Sequence, residues 1–222
     1  MKAIKTIFKT RAEWLENRKH GIGGSEAAAV INKSPWLTRE RLFDLKTGRA
    51  QPSADIAERP QVKYGTAAEP LLRELFALDY PQYAVEYEEN NSYAHPQYPF
   101  LMSSRDANLT ETATGRKGVY EGKTAEIRAR ADADKWDNAV PENYYCQILQ
   151  YFVCDPEIDF VILNAQLKFY GAGGQMIRKE TRPYHFERKY YAGDIESLQN
   201  AEIEFWAENV LKDRRPNMVL SL

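Results

Sequence analysis

Residues 106–123, DANLTETATGRKGVYEGK, decide how the rest of the chain is read. Val119 to Thr124 has strand character, and Thr114 to Gly118, polar with two glycines, has the chemistry of a turn. A hairpin over this stretch brings Asp106 beside Glu121. Successive side chains of a strand point to opposite faces, so Glu121 and Lys123 share one face while Gly122 points away. Two carboxylates and an ammonium then converge. Their oxygens suit a hard ion such as Mg²⁺, which generates hydroxide from water, and the lysine orients that water or offsets charge developing on a phosphate. The same string also fits a surface hairpin whose Glu and Lys pair in solvent, and spacing alone leaves the two readings open.

The 222-residue chain, 43% hydrophobic and 12% aromatic, carries enough apolar material for a full core in one domain, which argues against disorder. Cys146 and Cys154, its only cysteines, lie in an apolar stretch and read as reduced core thiols, pointing to a cytoplasmic home. No leader pattern opens the chain and no run of roughly 18 apolar residues occurs, so it reads as neither secreted nor membrane-spanning. A net charge of −2 gives no diffuse attraction to nucleic acid, yet residues 1–50 hold 11 Lys or Arg against 5 Asp or Glu. That asymmetry fits an enzyme that grips phosphates at one place and metal ions at another. Ordinary helix surface charge produces it as well.

Thr10 to Glu13 has capping-box spacing and opens a short helix with Trp14 and Arg18, ended at Gly21. Gly21-Ile22-Gly23-Gly24-Ser25 leads into the helical run from Glu26, with Ser25 as the expected N-cap. A glycine-rich turn at a helix N-terminus receives anions, and Arg18 nearby makes a phosphate site plausible; cap and turn alone is the other reading. Thr38 caps a third helix, 49–61 reads as a loop, and a fourth helix starts near Gly65, with Glu69 either a capping acid or a site carboxylate. Between Tyr83 and Leu101 the alternation of Val85 with Tyr87, and of Tyr98 with Phe100, suggests strands. Tyr144 to Val153 reads as a buried helix with Gln147 and Tyr151 on one face. Phe160 to Tyr170 reads as a central strand, Lys179 to Arg188 as its antiparallel return, and Asp194 to Lys212 as an amphipathic helix. The order indicates an α/β (α+β) fold, a mixed sheet flanked by helices.

Several of these features fall on one line. Trp14-x3-Arg18, Gly21 to Glu26, Gly65-x3-Glu69, Asp106, Glu121-x-Lys123 and Gln147-x3-Tyr151, in this order, resemble the YqaJ-like and lambda exonuclease group of the PD-(D/E)xK, restriction-endonuclease-like superfamily. The resemblance implies one nuclease domain over 1–222, with a basic DNA-end-binding part at 1–50, a catalytic core at 62–170 and a C-terminal helix at 190–215. It implies Asp106, Glu121, the carbonyl of Gly122 and Glu69 as holders of Mg²⁺, or Mn²⁺, as two ions; Lys123 as the catalytic lysine; Gln147 and Tyr151 as lining; and Arg18 and Ser25 as the 5′-phosphate grip. It further implies 5′-to-3′ digestion of linear duplex DNA to leave 3′ tails for a single-strand annealing partner, and a ring trimer. An internal-cutting endonuclease and a non-catalytic DNA-binding subunit stand as alternatives. Two positions depart from the pattern: Arg105 where the superfamily name expects proline, and Gly122 where an aliphatic residue is usual.

Overall fold

The computed structural model describes residues 2–53 and 56–217. Strands β5 (Ala107–Glu111) and β6 (Lys117–Ile127) form the expected hairpin, Ala107 opposite Tyr120 and Thr110 opposite Lys117, and Gly115 in its turn adopts a φ of 74°. The other edge of β6 runs parallel to β7 (Phe160–Tyr170), from Gly118 against Phe160 to Ile127 against Phe169. Parallel neighbours need a crossover. Here α5 (Arg130–Asp134) and α6 (Glu142–Cys154) supply it. Antiparallel β2 (Tyr83–Glu86) and β8 (Met176–Glu187) complete a five-stranded sheet ordered β2-β5-β6-β7-β8.

Alternation along the strands divides the core. Val119, Val161, Leu163, Ala165 and Leu167 face α6 and α2 (Gly24–Val30), with Leu198 of α7 (Ala192–Glu204) in the same cluster. Tyr120, Phe160 and Ile162 face the other way and enclose Phe76 of α4 (Pro60–Asp79). β7 is therefore covered on both faces, which is why its sequence is a near-continuous apolar run. Cys146 and Cys154 are buried and unbridged, and among the described residues no helix is long and apolar enough to cross a membrane.

Three local expectations need correction, and one sheet was not foreseen. Helix α1 (Arg11–Arg18) is capped by the Thr10 hydroxyl, as expected, but α2 is capped by Gly23, leaving Ser25 inside its first turn. The Glu26 carboxylate accepts from the Gly23 N–H at 2.8 Å, so the acid three residues on fixes the start that the serine was expected to fix. Helix α4 begins at Pro60 and runs through Pro70, so Glu69 lies within it and not at its start. Pro60, with its fixed φ and no N–H to waste, suits a first helical position. A second sheet of β1 (Ile4–Ile7), β3 (Asn91–Ala94) and β4 (Met102–Ser103) was not legible, since all four β1 residues are exposed and show no alternation of burial. Tyr98 and Phe100 lie in a turn, where Phe100 stacks on Trp206 at 5.1 Å; their spacing reflects packing, not a strand. Thr38 does cap α3 (Arg39–Lys46).

Candidate active site

The hairpin register sets Asp106 one residue beyond the Ala107–Tyr120 pair, and its Oδ2 accepts the Gly122 N–H at 2.8 Å. A Cβ at Gly122 would sit 3.3 Å from the Tyr120 hydroxyl, a tight contact, and 3.6 Å from the Asp106 carboxylate, an ordinary one, so atoms beyond Cβ would crowd the acid. Arg105, the other departure, is buried and ion-paired to Asp155 at 2.9 Å, and its own backbone N–H donates to Asn91. It fastens the entry to β5 onto the end of α6.

Glu121 and Lys123 share the face of β6 turned toward α6, and Glu121 is 1% exposed. Its Oε1 accepts from Lys123 and, at 2.7 Å, from the Gln147 amide; its Oε2 accepts from the Tyr151 hydroxyl. Gln147 also donates to the Tyr151 oxygen at 3.0 Å. The i, i+4 pair on α6 thus meets the polar partner its sequence demanded. Helix α2 packs against this point, where a Cβ on Gly24 would come within 3.2 Å of Gln147.

Charges on these groups act on one another. Burial and the neighbouring Glu121 push the Asp106 carboxyl well above the usual range, with Lys123 and the Gly122 N–H opposing. Burial alone would lower Lys123, yet Glu121 and Asp106 more than offset it, so the ammonium is held protonated more firmly than usual. Glu69 is raised by burial and by Glu121, against Arg73 and Lys123. Burial, then Glu121, keeps the Tyr151 phenol protonated. Mutual repulsion among carboxylates is the cost that a bound cation removes, and oxygen donors of this kind fit a hard divalent ion. Among the described residues no three His, Cys, Asp or Glu side chains cluster as a metal cage. The carboxylates on offer are Asp106 and Glu121, with Glu69 at the margin.

Arg18 donates to the Ser25 hydroxyl at 3.0 Å. Their placement depends on Lys46, whose buried ammonium bonds the Arg18 carbonyl at 2.8 Å and both oxygens of Glu26, the acid that caps α2. Trp14 adds a second brace, its indole N–H donating at 3.0 Å to Ser104 and to the Asn91 carbonyl while Arg18 lies over its ring. One cavity of about 220 Å³ is lined by Arg18, Gly23, Ser25, Asp106, Glu121, Lys123 and Gln147. Segments separated by about a hundred residues in sequence therefore face one space. Glu69 and Tyr151 are set apart from it: Glu69 turns toward Arg73 at 3.5 Å, and Tyr151 lies behind Glu121. Lys46, Trp14, Arg73 and Ser104 were not singled out as site groups from the sequence. Only Trp14 carried a signal, its fixed distance from Arg18.

A sequence profile for the YqaJ-like viral recombinase domain matches residues 13–155. A curated relative, described as uncharacterized protein YqaJ of Bacillus subtilis (strain 168), is 28% identical over 214 residues, which is 96% of this chain and 60% of that one. The chain thus spans about 60% of the length of that relative. Among solved structures, the alkaline exonuclease LHK-Exo of Laribacter hongkongensis, also solved in complex with dAMP, superposes with a TM-score of 0.59 at 16% identity, covering 91% of this chain and 96% of its own. A KSHV SOX RNA complex gives 0.52 at 11% identity, covering 94% of this chain and 72% of the other. At these identities the likeness to solved structures is one of fold.

Proposed function

The chain belongs to the YqaJ-like viral recombinase domain family, and from that footing we propose that it is a nuclease that digests one strand of linear duplex DNA from its 5′ end. The observation that carries this reading is the shared cavity, in which Arg18 and Ser25 lie across from Asp106, Glu121 and Lys123. A guanidinium and a hydroxyl suit a terminal phosphate. The carboxylate and lysine groups suit the next phosphate along. A site that grips a chain end beside the groups that cut favours an exonuclease over internal cleavage.

Asp106, Glu121 and the Gly122 carbonyl, with Glu69 nearby, are the groups that would hold Mg²⁺ or Mn²⁺; when bound, the metal would supply Lewis acidity toward the phosphate and ease formation of hydroxide from water. Gln147 and Tyr151 fix the Glu121 carboxylate through its two oxygens. Lys123 presents a firm positive charge to the phosphate as negative charge builds on it. Residues 1–50 supply the end grip and 62–170 the cutting groups; the helix expected over 190–215 is α7 to Glu204 followed by a π-helical turn, Phe205–Val210, and α7 packs on α6 and α2. The product, a 3′ single-stranded tail, is the substrate for a strand-annealing partner, and a ring of three chains would keep the enzyme on its duplex.

The test is digestion of linear duplex with 5′-phosphate or 5′-hydroxyl ends, beside closed circular DNA, in Mg²⁺. The expected result is 5′-to-3′ loss of one strand, faster with the phosphate, and intact circles. Equal digestion of the circles rejects the exonuclease reading.

A further inference from the structure

A second cavity, of about 180 Å³, opens on the far side of Asp106. It shares Trp14, Ser104 and Asp106 with the first, so the two follow one another across the acid. Their chemistry differs. The first has Arg18 and Lys123 on its walls, whereas the second has the ring of Tyr87, with Glu69 and Glu89 set against Arg11 and an Arg105 already paired with Asp155. An excess of carboxylates over free cations weakens the draw on a phosphate, and an aromatic wall favours a flat, neutral partner.

Tyr87 is built for that task. It follows directly on β2 and is 44% exposed. The Arg73 guanidinium lies 3.7 Å from its ring centroid. That guanidinium also donates to the Asp106 carbonyl at 3.0 Å and pairs with Glu69 at 3.5 Å. One side chain therefore ties the ring, the acid and the second cavity's wall into a fixed arrangement. With one face of the ring taken by Arg73, the exposed remainder is offered to the cavity.

We propose that the second cavity is a nucleobase subsite, in which Tyr87 stacks the base of the nucleotide that follows the phosphate being cut. This rests on the 5′-end reading above: with the terminal phosphate at Arg18 and the scissile phosphate at Asp106, the next base falls beyond Asp106. Stacking tolerates all four bases, as an enzyme that digests any sequence requires. Tyr87 is then a positioning residue, setting the second nucleotide so that the phosphate before it meets Asp106.

The test is binding in chelator, where no cleavage occurs, of a 5′-phosphorylated duplex with 2-aminopurine as the second nucleotide from the 5′ end. Wild type should quench its fluorescence on stacking. Y87A should weaken binding by about 5- to 150-fold, the range for loss of one base–aromatic stack, while Y87F stays near wild type. An abasic second nucleotide should cost wild type a similar factor and Y87A almost nothing further. Binding by Y87A equal to wild type, or an abasic penalty of equal size in the two proteins, overturns the subsite. Adding Mg²⁺ then tests the parent reading separately: Tyr87-dependent binding with no hydrolysis of any linear duplex by wild type would reject the nuclease and leave the subsite standing.

Discussion

Lys46→Met tests how the phosphate grip is built. The Lys46 side chain is 3% exposed and its partner Glu26 14%, so solvent does little to screen them. Burial lowers the Lys46 pKa despite the attraction of Glu26, which shows that desolvation weighs heavily on this pair. Removing one member of a buried pair leaves the other charge uncompensated, at a cost of about 3–5 kcal/mol. In a chain of this size about 1 kcal/mol moves the melting temperature by roughly 2–4 °C, so K46M should melt roughly 6–20 °C lower. Adding Glu26→Gln removes the stranded charge while keeping an acceptor for the Gly23 N–H, and should restore more than half of the loss. Denaturant titration followed by circular dichroism measures the difference directly. The Arg18 carbonyl also loses its ammonium partner, so at temperatures where K46M is folded its preference for 5′-phosphate over 5′-hydroxyl ends should shrink. A loss of stability below about 1 kcal/mol, or a double variant less stable than K46M, refutes the reasoning.

Lys123→Ala should keep duplex binding within a few-fold and reduce cleavage by at least about 100-fold, the order lost when one charge-stabilising donor goes; unchanged turnover removes the lysine from the chemistry. Glu202 is fully buried on α7, and burial pushes its pKa well up against the opposing influence of the nearby Gln150 amide. A raised carboxyl pKa means the native state keeps a proton that the unfolded state releases above about 4.3, so wild type loses stability as pH rises from there toward the folded value. Glu202→Gln should therefore gain on wild type by up to about 1.4 kcal/mol per pH unit over that window and not below it, read from urea titrations at a series of pH values. Few cations face the two cavities, chiefly Arg11, Arg18 and Lys123, so the slope of log K against log salt for end binding by one chain should be about −2 to −3; a slope steeper than about −5 would place most phosphate contacts elsewhere.

Groups expected to do chemistry were legible because their spacing is local. Glu121 and Lys123 share a face by strand alternation, and Gln147 and Tyr151 by helix pitch, so short-range geometry alone predicts each pair. Asp106 and Glu121 required one hairpin, whose turn residues announced it. The central strand was legible for a similar reason, since an apolar run like that of β7 has few other uses. Ser25 was misread as a cap because a serine before a helical run is a common start. Glu26, reaching back to Gly23 and held there by Lys46, decided the boundary instead.

Supports of the site escaped sequence reading because their partners lie far away in the chain. Lys46 reaches Glu26 across 20 residues, Arg73 reaches Asp106 across 33, and Arg105 reaches Asp155 across 50. No periodicity marks such pairs, and on a sequence each looks like a solvated charge. Lys46 faces inward to hold Arg18, so part of the basic excess of residues 1–50 is spent on architecture. On the proposed reading that leaves the grip on a phosphate to a guanidinium and a hydroxyl in fixed positions, and an enzyme so built would recognise a strand end by geometry more than by field.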